Sequence, residues 1–266
     1  MRPSPRTLLL AAAALAAAAP AAAQAPSLAA SVGVHSAYVW RGTSVTNRPV
    51  VQPEVSLSLP TAGGAWNLGA FASVEPGRYD GLRDLSESGD DAAVDVAEYQ
   101  LWLEYGRGLG PVEVALGATT YRFPNDAGLT SLSNTSEVYG TVALAIPLRP
   151  SVGVWYDVDK VKGAYVEAAV SYDTRLLFVL PVTVGAAAGF NAGQEIDFDS
   201  DELANFAERG LTHTEVSLSW SFGVGRLSVS PSAQAVFGRD LATRLVEPGR
   251  ESAAKYRFGA TVSWGR

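Results

Sequence analysis

The sequence predicts an all-β fold, a single transmembrane antiparallel β-barrel of about twelve strands, and three observations carry this prediction. Apolar and polar residues alternate along most of the chain after residue 25, which is the period-two pattern of strands with one apolar face. The alternating segments are close to the ~10 residues that cross a bilayer at a tilt. The links between them alternate in length, as in barrels with short periplasmic turns and long extracellular loops.

The N-terminus predicts a secretory signal peptide over residues 1–23. Arg2 and Arg6 supply the positive end, and a short apolar run follows from Leu8 to Ala19. Small residues up to Ala23 suit cleavage after that position, which leaves residues 24–266 as the barrel domain. A transmembrane anchor is the alternative, but this alanine-rich run is shorter than a membrane helix requires. We therefore expect an exported protein in the cell outer membrane.

Composition excludes several classes of function. The chain has no cysteine, so disulfides, thiolate metal sites and cysteine nucleophiles are impossible. Its formal net charge is −7, which makes nucleic acid an unsuitable partner. No stretch after residue 25 reaches the ~18 apolar residues of a membrane helix, so a membrane span has to consist of strands. The expected partners are outer-membrane lipid and small solutes.

The first six predicted strands each carry apolar side chains at alternating positions. In order, with apolar residues in parentheses, they are Ser31–Arg41 (Val32, Val34, Tyr38, Trp40), Val51–Leu59 (Val55, Leu57), Trp66–Val74 (Trp66, Leu68), Val96–Tyr105 (Tyr99, Leu101, Leu103), Val112–Arg122 (Val114, Leu116) and Glu137–Ile146 (Val138, Val142, Leu144).

The last six follow the same rule, and the final strand shows it best because its apolar face begins and ends with an aromatic ring, as expected where a strand meets two membrane interfaces. They are Val152–Val158 (Val152, Val154, Tyr156), Tyr165–Tyr172 (Val166, Val170), Phe178–Phe190 (Leu180, Val182, Val184), His213–Phe222 (Val216, Leu218), Leu227–Phe237 (Leu227, Val229) and Tyr256–Trp264 (Tyr256, Phe258, Val262, Trp264).

The links fall into two groups. Brief links rich in Gly and Pro follow the even-numbered strands and predict tight turns: Pro60–Gly64, Gly106–Pro111, Pro147–Pro150, Asp173–Arg175 and Gly223–Arg226. Longer polar links follow the odd-numbered strands, apart from the brief Asp159–Gly163: Gly42–Pro49, Pro76–Ala93, Pro124–Asn134, Asn191–Gly210 and Gly238–Ala254. An even number of strands returns both termini to the side of the short turns.

Several short motifs carry a family resemblance. They are Ser36–Gly42 with Pro49–Pro53, Asn134–Gly140, and Trp155–Asp159 with Gly163–Glu167. Together they resemble a family of bacterial exported proteins classed as porins, the TorF-like or Gcw group. The resemblance implies an outer-membrane barrel with a pore and provides no catalytic residue. The chain departs from that family at Ala37, where an acid is expected, and in the acidic link around residues 80–91.

The polar faces of the strands are rich in carboxylates, which favour cations when they line a pore. We expect a narrow, weakly cation-selective channel for passive diffusion of small solutes. The predicted pore-lining residues are Arg41, Glu54, Glu98, Gln100, Glu104, Glu113, Glu137, Asp157, Glu167, His213, Glu215 and Arg257. The alternative is a lumen plugged by Glu–Arg pairs and by rings such as Trp102, Trp155 and Tyr165, which would serve only stability.

Other functions have weaker support in the sequence. His213, Glu215 and Ser217 share one strand face, which a lipid hydrolase could use as base, orienter and nucleophile, but polar ladders of this kind are routine in a barrel interior. The spacing of Asp197, Asp199 and Asp201 suits calcium, although the rest of a helix–loop–helix calcium site is missing. We expect no enzyme activity, cofactor or metal. A non-conducting scaffold or loop-mediated binding protein is the competing class.

Overall fold

A computed structural model describes residues 25–46, 48–76, 94–124, 134–160, 162–176, 180–194, 209–238 and 254–265. The predicted signal peptide lies outside these residues. Fifteen strands form: β1 Ser27–His35, β2 Tyr38–Trp40, β3 Thr43–Thr46, β4 Val50–Thr61, β5 Gly64–Glu75, β6 Asp95–Leu109, β7 Val112–Arg122, β8 Asn134–Leu144, β9 Ser151–Asp157, β10 Gly163–Leu176, β11 Leu180–Asn191, β12 Gly210–Ser219, β13 Phe222–Val224, β14 Leu227–Gly238 and β15 Ala254–Gly265.

Twelve of these strands close into one antiparallel barrel, which confirms the predicted fold class. Neighbours along the chain pair with each other from β4 to β12, and β12 pairs with β14 across the short β13. The ring closes where β1 pairs with β15, from Ala29 opposite Gly265 to His35 opposite Gly259. Closure leaves no edge strand, which a sheet in lipid requires because hydrocarbon offers no hydrogen-bond partner.

The exterior of the barrel is apolar. Side chains at alternate wall positions are exposed although they are hydrophobic, for example Leu101 (51%), Leu116 (70%) and Phe258 (57%). The most deeply buried side chains include polar ones such as Ser73, Glu98 and Asp157. This inverted distribution is the surface that a bilayer covers. No helical segment among the described residues has the length and apolar character of a membrane span.

Two rims of different character result. One rim carries the links β4–β5, β6–β7, β8–β9, β10–β11 and β13–β14, and we call it the short-turn rim. Strands β1, β5, β7, β9, β11 and β14 end at the opposite side of the barrel, which we call the long-link rim. Buried residues concentrate in the half of the barrel nearest the long-link rim, because the chain folds back into the lumen there.

The first predicted strand, Ser31–Arg41, is wrong at its C-terminal end. The wall strand ends at His35, and the chain then turns inward to form the separate hairpin β2–β3. A continuous strand would have placed Tyr38 and Trp40 on the lipid face with Val34. Instead, Tyr38 is 6% exposed and lies inside the barrel. Tyrosine is amphipathic, and the interior offers its hydroxyl a carboxylate partner that lipid could not provide.

Candidate functional site

A hairpin folded into the lumen is the most distinctive feature of the interior. It comprises Tyr38–Trp40 and Thr43–Thr46, joined by Arg41 and Gly42, and we call it the inner hairpin. Both turn residues have positive φ, 48° at Arg41 and 81° at Gly42. Two positive φ values are typical of the primed two-residue turn of tight hairpins, in which Asn-Gly is the preferred pair. Arginine at the first position is therefore conformationally unfavourable and has to be held by its side-chain contacts.

The base of the inner hairpin rests on strands β5, β6 and β7. The Tyr38 hydroxyl donates a hydrogen bond to Oε2 of Glu98 at 3.1 Å, and its ring lies 6.4 Å from that of Phe71. The Trp40 ring meets Tyr121 edge to face, with centroids 5.8 Å apart. Gln100 donates to the other oxygen of Glu98 at 2.6 Å. These contacts combine aromatic packing with charge-assisted hydrogen bonds.

The tip of the inner hairpin crosses to the opposite wall, where Arg41 forms an ion pair. Its two terminal nitrogens donate to the two oxygens of Glu137 on β8, at 2.6 and 2.7 Å. The Arg41 side chain is 8% exposed and that of Glu137 is 2% exposed. Strands β8–β10 lie half-way round the barrel from β1. The pair therefore bridges the lumen and holds the hairpin across it.

Aromatic rings enclose the Arg41 guanidinium. Its central carbon lies 4.5 Å from the ring centroid of Trp40, 4.3 Å from that of Tyr165 and 5.5 Å from that of Trp155. These distances are within the range of cation–π attraction. Arg41 is thus held by a bidentate carboxylate and by ring faces, the two modes in which guanidinium differs most from ammonium.

Glu137 accepts further hydrogen bonds. The Tyr121 hydroxyl donates to it at 2.9 Å, and the Gln194 amide donates at 3.1 Å. Asn191 positions Gln194, because its side chain accepts the Gln194 backbone N–H at 2.7 Å and donates to the Gln194 carbonyl at 2.9 Å. Three side chains, those of Arg41, Tyr121 and Gln194, thus donate to Glu137. Gln194 was not among the predicted site residues, because it lies near the start of a polar link and outside any alternating pattern.

The other side of the hairpin tip presses on strands β12, β14 and β15. A Cβ atom on Gly42 would lie 2.5 Å from Cβ of His213, so only glycine fits this contact. The Lys255 ammonium donates to the Gly42 carbonyl at 3.1 Å. The inner hairpin therefore contacts the wall on both sides of its tip and obstructs the long-link half of the lumen.

Below the hairpin, tyrosine and glutamate pairs continue along the wall. Tyr139 donates to Glu104 at 3.0 Å, and Tyr165 donates to Glu167 at 2.7 Å. The rings of Tyr139 and Trp155 are stacked with centroids 6.1 Å apart. On the other side, Arg257 donates to Gln52 at 2.8 Å. The lumen wall thus combines carboxylates and rings rather than apolar packing.

The short-turn half of the lumen is open by comparison. A cavity of about 810 Å³ lies against strands β4–β8 near the short-turn rim. Small side chains line most of it, among them Ala115, Thr141 and Ala143, and its charged residues are two carboxylates, Glu104 and Glu113, and one cation, Arg107. The lumen therefore consists of an open acidic cavity at one end and an obstructed region at the other.

The twelve predicted pore-lining residues all lie on the interior face. Arg41 lies there on the inner hairpin. The strand residues lie there because the register pairs polar positions across neighbouring strands, as in Ser31–Glu54, Asn67–Glu104 and Gln234–Ser217. Glu98, Glu137, Asp157, Glu167 and His213 lie near the hairpin, whereas Glu54, Glu104, Glu113, Glu215 and Arg257 lie elsewhere on the wall. That they line a conducting pore is part of the proposal below.

The sequence also suggested two other sites. His213, Glu215 and Ser217 lie on one interior face of β12; the Nδ1 atom of His213 is 3.1 Å from Oγ1 of Thr212, and its ring lies against the hairpin tip. The calcium candidate at residues 197–201 lies outside the described residues, as do residues 80–91 of the acidic link. Within the described ranges, no three His, Asp or Glu side chains are grouped to hold a metal ion.

Comparisons with known proteins support the fold. No protein-family profile matches the chain, and no curated protein sequence matches it. Among solved structures, an outer membrane channel from Pseudomonas putida F1 is similar with a TM-score of 0.52 and 11% identity, over 93% of this chain and 99% of that one. LpxR from Salmonella typhimurium follows at a TM-score of 0.49 and 13% identity, over 90% and 99% of the two chains. At such low identity the similarity concerns the barrel fold.

Proposed function

We propose that the protein is an outer-membrane channel for passive diffusion of small cationic solutes, with the inner hairpin closing its extracellular half at rest. Membership in the TorF-like porin group stays a prediction, since no family profile matches. Placing the long-link rim outside the cell follows the usual orientation of such barrels. The proposal needs no catalytic residue, cofactor or metal.

The character of the obstruction is the observation that carries the proposal. The inner hairpin is held to the wall by hydrogen bonds and one ion pair, together with ring contacts of Tyr38 and Trp40. Polar contacts of this kind can be exchanged for water or for a solute, whereas a dry apolar plug cannot. Beyond the hairpin, the acidic cavity leads to the short-turn rim.

The predicted preference for cations rests on the interior charges. Interior carboxylates, among them Glu54, Glu104, Glu113, Glu167 and Glu215, face the cationic groups of Arg41, Arg257 and Lys255. Arg41 is neutralised by Glu137. An acidic lumen of low dielectric attracts cations and repels anions.

Planar-bilayer recordings test the channel. Replacing residues 38–46 by a short Gly-Ser link should raise single-channel conductance several-fold over the wild type, because the obstruction is removed. Arg226→Ser, in the tight turn at the other rim, is the control and should leave conductance unchanged. A hairpin-less barrel that inserts, stays folded on heat-modifiability gels and passes no current would contradict the proposal.

The same recordings test selectivity. In a salt gradient, the hairpin-less barrel should show a cation-selective reversal potential. Glu104→Gln with Glu113→Gln should shift that potential towards zero, whereas Glu104→Asp with Glu113→Asp should keep it, since aspartate preserves the charge. Anion selectivity in the parent barrel is the result that contradicts a cationic substrate class.

A non-conducting barrel is the second candidate, and the buried Arg41–Glu137 pair favours it. Held by a bidentate bond and several rings, the inner hairpin could be a permanent plug, with the protein acting as a scaffold or through its long links. The hairpin-less variant then conducts while the wild type never does, even in prolonged recordings. Outer-membrane location is tested separately by fractionation.

A further inference from the structure

The surroundings of Arg41 have the composition of a ligand site. We propose that the wall opposite the inner hairpin is a binding site for guanidinium-bearing solutes, and that Arg41 occupies it as an internal substitute for the solute. We call the site the guanidinium cage, formed by Glu137, Trp155, Tyr165, Tyr121 and Gln194. Its role in transport rests on the proposed channel, but its binding chemistry does not.

The shape of a guanidinium group matches the cage. Guanidinium is planar, and its fork fits the two oxygens of a carboxylate. Glu137 receives the fork of Arg41 at 2.6 and 2.7 Å, while the faces of Tyr165 and Trp155 flank the group. A carboxylate that only anchors a loop needs one neighbouring cation. Rings that also flank the cation favour a flat group such as guanidinium.

The residues of the guanidinium cage all lie outside the inner hairpin. Tyr121 and Gln194 hold Glu137 from β7 and from the end of β11. A Cβ on Gly189 would lie 2.4 Å from the Tyr165 hydroxyl, so the absence of a side chain on the neighbouring strand leaves room for the tyrosine. The cage residues therefore keep partners of their own when Arg41 leaves.

The free energy of exchanging Arg41 for a solute guanidinium depends on the hairpin backbone and on Glu137. Arg41 has φ of 48° in a turn where asparagine or glycine is preferred, so its withdrawal relieves an unfavourable backbone conformation. Without a cation, Glu137 would be a buried unpaired charge. A solute guanidinium can replace Arg41 in that role, and it competes with a tethered group whose effective concentration is in the ~mM range. Binding of the solute and release of the hairpin are thereby coupled.

Arg41→Asn gives the sharpest test, because it empties the cage and provides the Asn-Gly pair that the turn prefers. The purified full-length protein in detergent is titrated with guanidinium chloride at low-millimolar concentration. Its melting temperature should rise by about 3–6 °C when the ligand is at ten times Kd. Equal concentrations of sodium chloride, methylammonium chloride or urea should raise it less, since none combines the charge with the planar fork.

Two matched proteins make the result specific. Arg41→Asn combined with Glu137→Gln should lose the guanidinium response, and the wild type should show little response because Arg41 fills the cage. Equal shifts with guanidinium and sodium in Arg41→Asn, or a guanidinium response that survives Glu137→Gln, would overturn the proposal.

Conductance separates this inference from the channel function. If guanidinium stabilises Arg41→Asn and also blocks its current, both proposals are supported. Stabilisation of Arg41→Asn, together with a hairpin-less barrel that passes no current, supports the cage and contradicts the channel. Current that guanidinium leaves unchanged, together with no stabilisation, supports the channel and overturns the cage.

Discussion

At the scale of single residues, close packing of rings against glycines shapes the lumen wall. A Cβ on Gly69 would lie 2.0 Å from the ring of Trp102, and one on Gly153 would lie 2.3 Å from the ring of Trp155. The missing side chains leave room for these large rings against the wall. The position of Trp155 in the guanidinium cage therefore depends on Gly153.

Gly117→Ala tests this packing. Its Cβ would lie 2.4 Å from Cζ of Tyr139 and 2.8 Å from the carbonyl oxygen of Leu103, and the backbone atom cannot move aside. We expect a loss of about 1–3 kcal/mol in unfolding free energy from overpacking, measured by denaturant titration in lipid. Gly108→Ala, which meets no atom within 4 Å, is the control. Equal effects of the two substitutions would refute the packing argument.

At the scale of elements, the inner hairpin is a local unit attached to a wall that is complete without it. The barrel ladder closes through β1, β4 and β15, and the hairpin pairs only within itself in the described residues. Breaking its anchor should therefore open the hairpin and not the barrel, since local units open at their own free energy.

Glu137→Gln is expected to release the hairpin. It leaves the Arg41 charge buried without its partner, which costs about 3–5 kcal/mol, so hydrogen exchange of the amides of residues 38–46 should accelerate by at least about 100-fold. Amides of β10 and β11 should be unaffected. Asp173→Asn is the control, because it breaks an exposed ion pair with Arg149 at the other rim, and such pairs contribute little. Uniform acceleration across the barrel would show that the hairpin is not a separate unit.

At the scale of the whole molecule, the protein is inverted relative to a water-soluble fold. Apolar side chains such as Val142 and Leu116 point outward, while Glu98, Glu137 and Asp157 are nearly inaccessible to solvent. Stability in this arrangement depends on hydrocarbon around the barrel and on satisfied polar groups inside it.

Substitution of adjacent residues on opposite faces of β7 tests the inversion. Leu116→Arg places a charge in lipid near the middle of the strand, and we expect unfolding free energy in bilayers to fall by about 2–4 kcal/mol. Ala115→Arg places the same side chain in the acidic cavity and should cost much less. Denaturant titration in liposomes measures both, and a larger loss for Ala115→Arg would contradict the assignment of faces.

The barrel, its number of wall strands and the faces of wall residues such as Leu116 and Glu137 could be predicted from the sequence alone. Period-two alternation is a local property that lipid outside and water inside impose on every strand, so residues such as Leu116 and Glu137 could be assigned without coordinates. The alternation of link lengths added which strands are joined by tight turns.

The residues that fill the lumen could be identified only from the folded structure. Tyr38 and Trp40 continue the alternation of the first strand, so parity placed them in lipid. The contacts that hold the hairpin inside come from Glu98, Glu137 and His213, on strands three to five positions away from β1 in the barrel order. Such contacts join residues about 60 to 170 positions apart in the chain, and local pattern contains no information about partners at that separation.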